Sequence, residues 1–310
     1  MKLDFTAVIQ QLGILFLIIG IGYAAAKANL FPKNTNRSLA QLVIYITNPC
    51  TVLYSVLGRS ERGLTNRQVL ILTGIAVIFF AVVIAAGLIL PRLLRCPKEK
   101  RGMYAFMVTF SNMGFLGFPV VSALYGPDAV FYASIFNLIF QLVVYTYGVW
   151  LVSGAEGGFR LRWQTFCSPI SLASIFAYIC YLTDLRAPTF AVKTLSMLQG
   201  VTSPVCMLVI GIALAAVPLG KVFRSWRIYV ISFVKLLGLP LLAYALLSPF
   251  VSEPMILGIT VVIAAMPVAT MSTLLASKYN ADEELAASGV FLSTLMSMVS
   301  IPLVMWVLFR

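Results

Sequence analysis

Ten apolar runs, most of them close to the roughly 20 residues that a helix needs to cross a bilayer, follow one another along the chain. They cover about 6–26, 38–57, 68–91, 102–125, 129–152, 168–184, 194–217, 226–247, 254–277 and 284–309. In hydrocarbon, every backbone N–H and C=O must find its partner within the protein. Runs of this length do so as helices. Charged residues make up 10% of the 310, where a soluble domain carries about 25%. The sequence therefore reads as an all-α polytopic membrane protein.

The net charge of +12 does not point to nucleic acid, because the basic residues form no single stripe. They lie in short loops. The loops after runs one, three, five, seven and nine carry fourteen Lys and Arg, against seven in the other loops and the termini. The densest group is "PRLLRCPKEKR", Pro91 to Arg101. By the positive-inside rule these loops are cytoplasmic and both termini lie outside. A basic patch for anionic lipid is compatible with the same orientation. The first run is longer than a signal-peptide core and is kept as a span. The longest loop, 153–167, is expected as a cytoplasmic linker between a first half, 1–152, and a second, 168–310.

Several chemistries are excluded. The chain has no histidine, and hence lacks the commonest general base and metal ligand. Cys50, Cys96, Cys167, Cys180 and Cys206 form no C-x-x-C pair and read as packing residues or free thiols. There is no P-loop. All ten acidic residues sit in loops or near span ends, which disfavours a buried carboxylate as proton carrier or sodium ligand. No cofactor or metal is expected, and an enzyme is not. The coupling ion is left open.

Five runs per half is an odd number, so a duplication places the halves in opposite orientations, as in many secondary transporters. Two traces support one. Run two holds "TNPC", Thr47 to Cys50, and run seven holds "TSPVC", Thr202 to Cys206. "LYGPDAVFYAS", ending at Ser134, matches "KYNADEELAAS", ending at Ser288. In both, Gly or Asn ahead of Asp suits a helix stop and a new N-cap. Counted back from Tyr125 and Tyr279, "SNMGFLGFP" in run four falls opposite "AAMPVATMST" in run nine. Proline and glycine at matching depth predict two interrupted helices, which are tolerated only where protein or water covers the freed backbone. Such pairs point to a solute site near the midplane.

At these residues the chain resembles the auxin efflux carrier family, whose bacterial members are often labelled malate or malonate permeases. The resemblance covers essentially the whole chain and is most specific at "FSNMGFLGFPVVSALYG" and "AAMPVATMSTLLASKYNADEELAAS". It implies ten transmembrane helices as two inverted five-helix repeats, with broken, crossed helices four and nine. It implies movement of a small organic anion bound near the crossover. Asn112, Pro119 and Pro267 carry over, with Asn48 and Pro49 lining the same cavity. The long loop of the plant members is absent, and Thr270-Met271 stands where many members place an asparagine.

The expected substrate-binding set is Asn48, Pro49, Ser111, Asn112, Gly114, Gly117, Pro119, Ser203, Pro204, Met266, Pro267 and Thr270, with Asn137, Gln141 and Lys235. Asn137 and Gln141 share a helical face and are expected either to bridge helices or to meet solute. Lys235 has three readings: attraction of a carboxylate, compensation of a helix C-terminus, or snorkelling to the headgroups. The function expected is a secondary transporter of a small organic anion, a carboxylate, working by alternating access in the inner (plasma) membrane. A channel, a sensor, or a carrier of neutral or cationic solutes are the alternatives. The partners are that solute and the bilayer, with no nucleic acid. Small residues in "IGIGYAAA" suit a homodimer interface and equally suit packing within one bundle.

Overall fold

A computed structural model describes residues 5–32, 34–59, 63–154, 168–217 and 225–309. The expected linker lies outside these apart from Ser153 and Gly154. So do Cys167 and the basic residues Lys2, Lys33, Arg62, Arg160, Arg162, Lys221, Arg224 and Arg310.

The described chain is helical. The elements are α1 (Phe5–Lys27), α2 (Thr35–Leu42), α3 (Asn48–Leu57), α4 (Asn66–Leu93), α5 (Arg101–Thr109), α6 (Phe118–Tyr125), α7 (Val130–Val143), α8 (Val149–Val152), α9 (Pro169–Thr183), α10 (Thr189–Ala215), α11 (Trp226–Phe233), α12 (Leu239–Leu247), α13 (Pro254–Ala264), α14 (Met271–Lys278) and α15 (Glu283–Phe309). Among the described residues, seven continuous helical stretches are long and apolar enough to cross a membrane: Ile9–Lys27, Thr35–Leu57, Asn66–Leu93, Pro127–Val152, Thr189–Ala215, Trp226–Leu247 and Glu283–Phe309. Met113–Tyr125, Pro169–Thr183 and Pro254–Ala264 are apolar but shorter.

The surface is apolar, and polar side chains are set into a mainly apolar interior. Leu17, Ile78, Ile89, Phe190, Met197 and Val299 point outward, while Asn48, Asn112, Asn137, Lys235, Ser293 and Thr294 are buried. Water would reverse that arrangement, and hydrocarbon favours it.

Prolines shape the helices locally. Helices α2 and α3 are joined by a π-turn, Val43–Thr47, which ends two residues before Pro49. The π-turn Met113–Gly117 stands in the same relation to Pro119, and Val234–Gly238 to Pro240. A proline has no N–H to donate and presses on the carbonyl one turn back, and the wider turn relieves both problems. A fourth π-turn, Val144–Gly148, has no proline after it. Pro204 and Pro302 sit inside unbroken helices of 27 residues each.

Helix α1 lies along α10 at backbone contact distance. A Cβ on Gly211 would meet the carbonyl oxygen of Ile19 at 2.1 Å, and one on Gly22 would meet that of Leu208 at 2.7 Å. Gly22 of "IGIGYAAA" is thus spent inside the bundle, while Gly20 has open space beside it. The four described cysteines are free.

The two matched hairpins share a positive φ but differ beyond it: the first passes through a 3-10 turn, Pro127–Ala129, with no side-chain cap, so the N-cap expected there is absent among the described bonds. Gly126 and Asn280, each directly after the matched tyrosine, have positive φ of 89° and 50°. At the second hairpin the N–H of Ala281 closes on Ala276 O at 2.8 Å, and Asp282 Oδ1 accepts from the N–H of Leu285 at 2.9 Å. That is a helix stop followed at once by an N-cap.

Candidate functional site

The run "TFSNMGFLGFP" does not continue as a helix. Helix α5 stops at Thr109, Phe110 is extended (φ −103°, ψ 121°), and Asn112 takes φ −77°, ψ 68° before the π-turn begins. The other interruption separates α13 from α14 between Ala265 and Thr270. The two unwound segments cross antiparallel, with Ser111 opposite Val268. The N–H of Asn112 donates to Pro267 O at 2.8 Å, and that of Ala269 donates to Phe110 O at 3.0 Å. A third bond comes from the last helix, where Ser293 Oγ accepts from the N–H of Val268 at 3.0 Å. These backbone groups have no water to turn to in a bilayer, and they satisfy one another. Part of the backbone freed by the breaks is therefore spent on the crossing itself.

The unpartnered side-chain atoms among the described residues include Asn48 Oδ1, Asn112 Nδ2, Asn137 Nδ2, Gln141 Oε1 and Thr294 Oγ1. Each sits on an element packed at the crossover or one layer from it. Asn48 Nδ2 donates to Gly114 O at 3.1 Å, which anchors the proline-bearing helix α3 to the π-turn. Helix α7, carrying Asn137 and Gln141, packs against the same π-turn, and its Phe140 ring lies 5.6 Å from that of Phe110. Buried amide groups without partners are uncommon, because each forfeits its hydrogen bonds to water.

Lys235 is 0% exposed. Its Nζ donates to Val108 O, in the last turn of α5, at 3.0 Å. It does not snorkel. Of the three readings, the geometry matches compensation of a helix C-terminus, where the carbonyls carry partial negative charge. The carbonyl it holds belongs to Val108, two residues before Phe110, where the crossing begins.

The remaining expected residues are placed as follows. Ser111, Gly117, Pro119, Met266 and Pro267 are buried at or next to the crossing, and Gly114 and Thr270 are partly covered. A Cβ on Gly117 would lie 3.6 Å from Asn112 O and from Met266 Cγ, so this π-turn closes directly over the second break. Pro49 is buried beside Asn48. The "TNPC" and "TSPVC" helices meet through a hydroxyl pair, Thr51 Oγ1 to Thr202 Oγ1, at 2.8 Å. Ser203 is half-buried and Pro204 faces outward from α10, away from that contact.

Sequence reasoning did not single out Ser293 or Thr294. Their signal is a polar strip, Ser293, Ser297 and Ser300, spaced like one face of an otherwise apolar helix. All three serines are buried.

An all-helical bundle with a lipid-compatible exterior and two interrupted helices paired at its centre is the frame of a polytopic membrane protein that handles a solute. The chain belongs to the membrane transport protein family, the auxin efflux carriers, whose signature matches residues 7–305. It is similar to "Uncharacterized transporter MJ1031" of Methanocaldococcus jannaschii, at 23% identity over 95% of this chain and 97% of that one. It is 24% identical to "Uncharacterized transporter YfdV" of Escherichia coli K12, over 94% and 95% of the two chains. A protein of Rhizobium meliloti named "Putative malonate transporter" is 21% identical over 92% and 91%. The family and these relatives are named as transporters, not as enzymes.

Proposed function

We propose that the protein is a secondary transporter that moves a small organic anion, a carboxylate, by alternating access, with the site at the crossing of Phe110–Asn112 and Met266–Ala269. One observation carries this reading. Next to the crossing the fully buried Lys235 donates to Val108 O at the end of a broken helix, and at the crossing itself Asn112 Nδ2 is buried without an acceptor. Buried donors with no carboxylate beside them among the described residues suit an anionic guest. The relative named as a malonate transporter supports the same substrate class.

The frame for it is ten spans in two inverted repeats, 1–152 and 168–310, joined by 153–167 in the cytoplasm. Both termini lie outside a bacterial inner membrane. The positive φ shared by Gly126 and Asn280 at the matched hairpins supports the repeat. One part of the fold rocks against the other, and the crossing faces each side in turn.

The test is thermal stabilisation of the purified protein by mono- and dicarboxylates, indole acids, amino acids and neutral solutes, with Asn112→Ala in parallel. A ligand at 100 times its Kd adds about 2.7 kcal/mol of stability. A carboxylate that stabilises the wild type and not the variant is the expected result. Stabilisation by neutral or cationic solutes alone overturns the anion assignment.

A further inference from the structure

A second polar feature lies at the basic end of the bundle, away from the crossing. A cavity of about 180 Å³ opens between α4, α5 and α8, lined by Gly87, Leu88, Arg92, Arg101, Gly102, Ala105, Trp150, Leu151 and Gly154. It holds two guanidinium groups and no carboxylate among its described lining residues. Arg101 Nη2 donates to Cys96 O at 3.3 Å, while its Nε is buried with no partner at all. Arg92 stands exposed at the rim, with Nη1 on Leu88 O.

The walls are not those of an aqueous anion site. Leu88, Ala105 and Leu151 are apolar, and Gly87 and Gly102 give the slot its narrow floor. A Cβ on Gly102 would strike Leu151 O at 1.9 Å, so α5 and α8 touch there through backbone. On the outer side of α4, Ile89 and Leu93 are 62% and 74% exposed, which marks this level as hydrocarbon-facing. Trp150 is 37% exposed at the mouth, in keeping with an indole at the membrane interface. Arg95, Lys98 and Lys100 follow in the adjoining loop, where Glu99 and, through its ion pair with Lys100, Asp282 offset part of the charge.

Basic pockets between helices at a membrane's cytoplasmic face bind anionic headgroups. We propose that this cavity binds an anionic phospholipid, its phosphate held by Arg92 and Arg101 and an acyl chain laid along Leu88, Ala105 and Leu151. The charge comes from the loop and rim, and the slot supplies selectivity for a lipid over a free anion.

The experiment titrates the full chain in detergent with phosphatidylglycerol, phosphatidylcholine and inorganic phosphate, and reads bound species by native mass spectrometry. Phosphatidylglycerol should bind at least about tenfold tighter than phosphatidylcholine. At about 1 kcal/mol per basic residue, the R92Q/R101Q pair should lose roughly 25-fold for phosphatidylglycerol and nothing for phosphatidylcholine. Leu88→Trp keeps both charges and fills the slot, and it should weaken the same lipid by about fivefold or more. It also carries the test if the double variant does not fold. Arg95→Gln, outside the cavity, should change affinity less than Arg92→Gln. Equal binding of the two lipids overturns the proposal. So does full competition by millimolar inorganic phosphate, a loss with Arg95→Gln as large as with Arg92→Gln, or an unaffected Leu88→Trp.

Discussion

The Nζ of Lys235 and the carbonyl oxygen of Val108 lie 3.0 Å apart, the one on a π-turn and the other in the last turn of a helix that ends mid-bundle. Two opposed terms decide what removing the amine does. Leaving Val108 O unpartnered costs about 1–3 kcal/mol. Removing a fully buried polar group recovers its desolvation, about 2–7 kcal/mol. Lys235→Met should therefore be as stable as the wild type or more so, while carboxylate flux falls at least about tenfold. A drop in melting temperature together with unchanged flux would make this lysine a structural cap and nothing more.

Ser293 serves the crossing from the last helix. Its Oγ is the partner of the Val268 N–H, which is fully buried. Ser293→Ala should lower stability by about 1–3 kcal/mol, because that donor is stranded where water does not replace the hydroxyl. Denaturation in mild detergent measures it. Ser297→Ala is the comparison: its hydroxyl bonds its own helix at Thr294 O, so its loss should cost less.

The Thr51–Thr202 hydroxyl pair joins the two matched motifs. Pairs of this kind within membrane helices couple by about 0.6 kcal/mol on average. A double-mutant cycle with Thr51→Val and Thr202→Val should return a coupling of that order. A value near zero would mean that the two helices are held by packing alone.

Lys100 and Asp282 form an ion pair of 2.7 Å between the start of α5 and the start of α15. Burial pushes the Asp282 carboxyl up, but the bonds from Lys100 and the N–H of Leu285 outweigh it and hold the group below its usual range. A depressed carboxyl contributes stability that is present above its unfolded pKa and lost as pH falls through the folded one. The difference in melting temperature between wild type and Asp282→Asn should be constant from pH 7 to 5. It should shrink only below about pH 4. A difference already lost at pH 6 would show that another group titrates.

Much of this was readable in the residues. Asn112, Gly114, Gly117 and Pro119 announce a break, and Pro267 announces its counterpart, because neither proline nor glycine sustains a helix in lipid. Three of the π-turns follow from their prolines in the same local way. What joins the breaks was not readable. The pairing of Phe110–Asn112 with Pro267–Ala269 spans more than 150 positions of sequence and depends on how two helices meet. Pro204 fails for a related reason. Its motif matches "TNPC", but which way a residue faces on an unbroken helix is set by its neighbours in space, and here it turns outward. Asn137 and Gln141 read as bridges between helices or as contacts for solute, and the residues alone do not say that Nδ2 of one and Oε1 of the other are left unpartnered.

The antiparallel pairing at the crossing has a mechanical consequence. Four half-helices, α5, α6, α13 and α14, hang from one knot only two reciprocal backbone bonds wide. Extended backbone transmits tension along the chain but offers little resistance to rotation about its own bonds. The knot therefore fixes the point where the four arms meet, and whatever displaces one arm there pulls on the other three.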